Sequence, residues 1–212
     1  MSKPPQITKL LLTLTNPHPA REKRVGEWIL AEGKQHLWSE RANQSSTAID
    51  TIVIHYTSAI FLEKSKPYTL DNLLYLFCSY SVSSHYLIAR TGKIMQLVPE
   101  EKKAWHAGGS IMPAPDLRTN VNEFSIGIEL VATPDSGFTQ KQYGALVRLI
   151  TDIKKRHGHR FTLTGHEDIA GSAAVEKGLR AEPKSDPGHL FDWNELRKNL
   201  GPDQLILLNK QT

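Results

Sequence analysis

The amino-acid sequence predicts an α/β fold, a mixed central β-sheet flanked by helices. Short β-branched runs, Thr51-Ile52-Val53-Ile54-His55 and Ser125-Ile126-Gly127-Ile128-Glu129-Leu130-Val131, have the length and composition of buried strands. They alternate with apolar stripes at helical spacing, the pattern of strands layered against helices. Polar side chains able to do chemistry fall where strands end: His55, Glu129, and His166 after Phe161-Thr162-Leu163-Thr164-Gly165. Open α/β sheets bind ligands in that place.

The elements follow in order. Residues 1–47 carry Pro4, Pro5, Pro17 and Pro19 and end in the polar stretch Asn43-Gln44-Ser45-Ser46-Thr47. Val25, Trp28, Ile29 and Leu30 suit one side of a short helix there, and the region reads as an extension packed loosely on the main domain at 48–200. After the Thr51 strand, Leu70 to Phe77 predicts a helix. Tyr86-Leu87-Ile88-Ala89 and Ile94-Met95-Gln96-Leu97-Val98, joined by Thr91-Gly92-Lys93, predict a hairpin. Thr139 to Arg156 is the strongest helix, with Thr139 and Gln142 as a capping box and Tyr143, Leu146, Val147, Ile150 and Ile153 as its stripe. Phe161 to Thr164 is a further strand, and Trp193 to Leu200 a closing helix stopped by Gly201-Pro202, ahead of a tail at 201–212. Two long stretches, Pro99 to Glu123 and Ala170 to Gly188, lack periodicity, as functional loops do.

Composition narrows the classes. The 212 residues suit one domain with an arm and a tail, and 39% apolar and 23% charged residues suit a packed core. With Cys78 the only cysteine, no intrachain disulfide can form. The net charge of +4 and pI of about 9.1 are a modest basic excess. The one dense basic block, Lys154-Lys155-Arg156, suits the C-terminus of a helix, so no nucleic-acid partner is expected. The apolar run Leu10-Leu11-Leu12-Thr13-Leu14 is shorter than the roughly 7–15 residues of a signal peptide. No segment has the length of a membrane span. A cytoplasmic protein is the resulting expectation, with a periplasmic or phage-lysis role as the alternative.

Two imidazoles and one carboxylate, His55, His166 and Asp186, form a common catalytic zinc set that leaves a coordination position open. Their spacing is no local metal signature. His166-Glu167-Asp168-Ile169-Ala170 lacks the second histidine of the helical zinc motif, and a structural role is the plainer account of any one of nine histidines. Spacing makes the set permissible and no more.

Ordered motifs add to it. Val53-Ile54-His55, Ser83-Ser84-His85-Tyr86-Leu87-Ile88, Trp105-His106-Ala107-Gly108, Ser125 to Leu130, Thr164-Gly165-His166-Glu167-Asp168-Ile169-Ala170 and Lys184-Ser185-Asp186-Pro187-Gly188 occur in this order, with Phe191-Asp192-Trp193 after them. From about Ile49 to Leu200 the chain resembles the type-2 N-acetylmuramoyl-L-alanine amidases, relatives of the phage lysozyme-type amidases and the peptidoglycan recognition proteins. The resemblance implies a zinc site at the strand ends held by His55, His166 and Asp186, with Glu129 and Lys184 in catalysis. It also implies peptidoglycan fragments or the sacculus as substrate. Having Asp186 where the animal recognition proteins have cysteine favours the bacterial muropeptide enzymes. The chain departs from the phage-type enzymes at Ser84, where they have tyrosine, which leaves Glu129 as the proton carrier. It departs from some cytosolic relatives at Tyr56, where they have asparagine. Trp105, His106 and Tyr56 are the expected substrate wall, His85 and Asp168 are expected to be structural, and Phe191 and Trp193 to lie in the core. A module that binds peptidoglycan without cutting it is the alternative, and oligomeric state is not legible.

Overall fold

A computed structural model describes residues 4–14, 19–42, 48–200 and 205–207. Among them seven strands form one sheet: β1 (Ile7–Lys9), β2 (Thr51–Thr57), β3 (Tyr86–Ile88), β4 (Ile94–Gln96), β5 (Ser125–Val131), β6 (Phe161–Gly165) and β7 (Leu205–Leu207). Their order is β1-β4-β3-β5-β2-β6-β7. The predicted hairpin, β3 with β4, is antiparallel and the other pairs are parallel, so the sheet is mixed. The helices are α1 (Pro19–Ala31), α2 (Leu70–Ser79), α3 (Gln140–His157), α4 (His166–Ile169), α5 (Ser172–Glu176) and α6 (Trp193–Leu200). The Gly201-Pro202 stop and the Asn43–Thr47 stretch lie outside the described residues.

Side chains alternate across a strand, and β2 and β5 use both faces. Ile52, Ile54, Ile126, Ile128 and Leu130 join one core with Tyr143, Leu146 and Ile150 of α3 and Trp193 and Leu196 of α6. The odd-numbered positions, Val53, His55, Gly127 and Glu129, therefore face the other way. That face is covered at one end by a cluster containing Val25, Ile29, Leu73, Phe77 and Leu87, and at its open end it carries the chemistry.

The capping box holds α3 in register with the sheet. Gln142 donates its backbone N–H to Thr139 Oγ1 at 3.1 Å, and Gln142 Oε1 accepts the Thr139 N–H at 3.0 Å. The same buried amide donates to Ile88 O and Val131 O, so one residue starts the helix and ties it to β3 and β5. At the other end Gly158, at φ +73°, closes α3 with its N–H on Lys154 O.

The N-terminal segment departs from expectation. Leu10, Leu12, Val25, Ile29, Leu37 and Trp38 are buried, β1 pairs with β4, and Leu10 and Leu12 donate to Gln96 O and Leu97 O. It is packed into the second core and not loosely laid on it. Apolar residues at alternating positions 10 and 12 extended the sheet edge, a signal too short to read alone. Leu30 is 70% exposed and stands off the buried face that Val25 and Ile29 share, because one step from Ile29 turns a side chain about 100° around the helix.

Arg156 does more than complement a helix end. Its guanidinium forks onto Glu100 at 2.5 and 2.9 Å, and Glu100 also takes the Tyr86 hydroxyl at 2.7 Å and His157 Nε2 at 2.8 Å. Burial opposes the charge on Glu100, but the hydrogen bonds from Arg156, Tyr86 and His157 outweigh it and bring its pKa down to about 2. The folded pKa lies below the unfolded value of about 4.3, so this stabilisation is complete above that pH and is lost as pH falls toward 2. Glu100→Gln is expected to cost about 3 kcal/mol near neutral pH. It should also flatten the fall of thermal stability between roughly pH 4 and pH 2. Thermal unfolding of both proteins against pH checks this, and an unchanged acid limb in the variant would refute it.

Candidate active site

The parallel register of β2 with β5 sets His55 opposite Glu129 on the same face. On the other side of β2, β6 ends at Gly165 and the chain turns into α4 at His166. Asp168 makes that turn: its Oδ2 accepts the Gly165 N–H at 2.8 Å and the Thr164 hydroxyl at 3.2 Å. Gly165 has a steric reason to be glycine, because a Cβ there would lie 2.8 Å from Pro187 Cδ. Its absence lets the 184–188 segment close on α4, where Glu167 donates its N–H to Asp186 O at 2.8 Å and Lys184 donates to Ala170 O at 2.9 Å. Three distant stretches of chain thus meet.

The donors of His55, His166 and Asp186 lie within 4.8 Å of one another. His55 Nδ1 is 2.9 Å from Asp186 Oδ2, and His166 Nδ1 is 3.1 Å from Asp186 Oδ1. Burial works against the Asp186 charge, yet the hydrogen bonds with His166 and His55 hold its carboxyl well below the usual range. Desolvation, and His55 beside it, push His166 down to about 4. At neutral pH the cluster therefore offers a carboxylate and a neutral His166. His55, lowered by burial but raised more by its hydrogen bond with Asp186 and by Glu129 nearby, holds a proton above its ordinary range that a cation would have to displace. His166 Nε2 and Glu129 Oε2 are buried without a hydrogen-bond partner. Such groups are costly unless water or a ligand satisfies them, but neither atom is turned onto Asp186, so the fit to a cation rests on Nδ1 of the two histidines and the Asp186 carboxylate. The donor set fits zinc by count and chemistry, and it is the one cluster of this kind among the described residues.

Glu129 stands beside this cluster, and desolvation raises its pKa to about 7. A cleft of about 600 Å³ opens above it, bringing together His55, His166, Asp186, Glu129 and Lys184 with Tyr56, Trp105 and His106. Lys184 is exposed on its lip. Phe61, at 95% exposure, and Tyr80, at 73%, stand at the mouth. A second groove of about 350 Å³ continues past Tyr56 toward Glu167 and His189.

Trp105 is held from three sides. Its indole N–H donates to Ser39 Oγ at 3.1 Å, its backbone N–H donates to Ser83 Oγ at 3.0 Å, and the Lys34 ammonium lies 5.1 Å from its ring centroid. The N-terminal segment thus buttresses one residue of the cleft wall. His85 is fully buried away from the cleft: its Nδ1 accepts the Gly127 N–H at 3.0 Å, and its Nε2 faces Lys102 O at 3.0 Å. Burial, with Arg41 beside it, pushes His85 down to about 3. His106 lines the cleft, but its ring is 8% exposed and reaches His55. Phe191 and Trp193 lie in the core.

Four contributors were missed in the sequence: Ser39, Asn122, Ser125 and Gly127. Asn122 Oδ1 accepts the backbone N–H groups of His106 and Ala107. Ser125 and Gly127 were findable, because period-two alternation puts them on the Glu129 face. Ser39 and Asn122 lie in irregular chain, where spacing carries no such signal.

Residues 45–189, about two thirds of the chain, match the family model described as N-acetylmuramoyl-L-alanine amidase. The chain belongs to that family. It is 38% identical to the 1,6-anhydro-N-acetylmuramyl-L-alanine amidase AmpD of Escherichia coli over 62% of this chain and 61% of the relative. To the E. coli N-acetylmuramoyl-L-alanine amidase AmiD it is 35% identical over 84% of this chain and 61% of the relative. The chain thus spans about three fifths of the length of these curated relatives. A crystal structure of a selenomethionine AmpD derivative superposes with a TM-score of 0.56 at 29% identity, covering 77% of this chain and 90% of that one. The expected mixed α/β fold is this family's fold.

Proposed function

We propose that the chain is a zinc amidase that hydrolyses the amide between the lactyl group of muramic acid and L-alanine, in muropeptides and anhydro-muropeptides. The observation that carries it is the His55, His166 and Asp186 donor cluster with an unpartnered Glu129 carboxylate beside it in one open cleft. AmpD, named as a 1,6-anhydro-N-acetylmuramyl-L-alanine amidase, and AmiD, named as an N-acetylmuramoyl-L-alanine amidase, support the same bond. Both relatives are named as amidases, which counts against a module that binds without cutting.

Under this reading His55, His166 and Asp186 hold the zinc. Bound zinc supplies Lewis acidity toward the scissile carbonyl and makes water more acidic. Glu129, a desolvated carboxylate beside the donor cluster, takes the proton of the attacking water and hands it to the departing L-alanine nitrogen. The Lys184 ammonium, on the cleft lip, stabilises the negative charge that develops on the carbonyl oxygen. Trp105 offers a flat apolar face to sugar or peptide, with His106 behind it and Tyr56 where the cleft passes into the second groove. Residues 48–200 are the proposed catalytic unit, residues 1–47 its extension and 201–212 its tail, acting in the cytoplasm.

The test is a digest of purified anhydro-muropeptides and, separately, of whole sacculi by the zinc-loaded protein, read by mass spectrometry. Release of stem peptide with a free L-alanine amine and an intact sugar is the expected result. Substrates of unchanged mass in both arms would sink the proposal.

A further inference from the structure

The hydrogen bonds behind His55 run in one direction and end on a backbone carbonyl. Ser125 donates its hydroxyl proton to Val121 O at 2.6 Å. With that proton committed, Ser125 Oγ can only accept from His106 Nε2, 3.2 Å away. His106 then carries its ring proton on Nε2 and turns a bare Nδ1 toward His55 Nε2, at 3.0 Å. His55 therefore donates from Nε2, so that once the proton it shares with Asp186 is displaced, the lone pair of the neutral ring lies on Nδ1, the atom facing Asp186.

The ring is also fixed in space. A Cβ on Gly127 would lie 2.5 Å from His106 Cγ and 2.7 Å from its Cδ2 and Nδ1, so the imidazole lies against the bare backbone of β5. Asn122 holds the backbone on either side of the ring. At 8% exposure the ring has little room to meet substrate directly.

We propose that His106 is a positioning residue, which with Ser125 and Gly127 fixes the tautomer and orientation of His55 so that Nδ1 faces the metal position. This rests on the zinc reading above. Hydrogen-bonded partners of metal-bound histidines commonly set ring orientation and ligand basicity, and their loss lowers metal affinity by about 10–100-fold. Nothing in the spacing around His106 suggests this role, since Val121 and Ser125 meet it only through the fold.

Zinc affinity of the full chain, measured by competition with a chromophoric chelator, tests the proposal without reference to turnover. His106→Ala is expected to weaken zinc binding about 10–100-fold. His106→Asn, whose Oδ1 falls near the place of Nδ1, is expected to restore most of it. Ser125→Ala serves as a second variant should His106→Ala not fold, and is expected to weaken binding by a smaller factor. Nitrogen-15 spectra of the histidine rings give a readout independent of affinity and should show His106 protonated at Nε2. His106→Ala binding zinc as the parent does, or His106 protonated at Nδ1, would overturn the proposal while leaving the zinc site standing. A parent chain that binds no zinc would overturn both.

Discussion

Glu129→Gln is expected to lower kcat for release of stem peptide by about 10³-fold while zinc content stays at the parent level. The substitution keeps size and shape and removes only the ability to carry a proton. Glu129 lies opposite His55 across the β2–β5 ladder, and its Oε2 has no protein partner to lose, so stability should change little. The elevated pKa sets the direction with pH. Desolvation raises Glu129 to about 7, and only the ionised form can accept a proton from water. A zinc ion held by His55, His166 and Asp186 would draw this value back down. Parent activity should therefore fall on the acid side of pH 7, by close to tenfold per unit once the acid form dominates, and this limb should vanish from the residual activity of the variant. Steady-state assays on a defined muropeptide across pH 5 to 8, with zinc measured on each sample, provide the check. Near-parent kcat in a zinc-loaded Glu129→Gln protein would remove Glu129 from the mechanism.

Zinc should also stabilise the fold, and the effect should depend on Asp186. A ligand at about 100 times its Kd contributes roughly 2.7 kcal/mol to the folded state. In a domain of this size that is a rise of about 5–10 °C in Tm. Asp186→Ala is expected to abolish both this rise and peptide release, because it removes one donor and leaves His55 and His166 without their shared carboxylate. Chelation should bring the parent to the same inactive state, and added zinc should restore the parent but not the variant. A zinc-dependent Tm rise that survives in Asp186→Ala would place the metal elsewhere.

The legible parts of the fold are those that local physics decides. β5 falls on the predicted Ser125–Val131, and α3 starts beyond Thr139 with the reciprocal Gln142 bonds that a capping box requires. Alternation in β2 and β5 already separates Ile52 and Ile54 from His55, and Ile128 and Leu130 from Glu129. The N-terminal segment was less legible because β1 has only three residues and finds its partner 87 positions on (Ile7 opposite Ile94), in β4. Glu100 was unread for a similar reason. A carboxylate followed by Glu101-Lys102-Lys103 looks like solvated surface until the fork from Arg156 and the hydroxyl of Tyr86 reach it.

The sequence by itself determined the layered α/β fold, the faces of the strands that carry polar groups, and a set of donors whose ordered motifs resemble one family. Tertiary structure decided which atoms of those donors meet. It turned Nδ1 of both His55 and His166 onto Asp186, set Trp105 against Ser39 of the N-terminal segment, and put His106 behind His55. The physical reason is range. Capping and alternation act over a few residues and leave a periodic trace in the chain. The hydrogen bonds from Val121 to His55, by contrast, form only when parallel strands bring together side chains that no period connects.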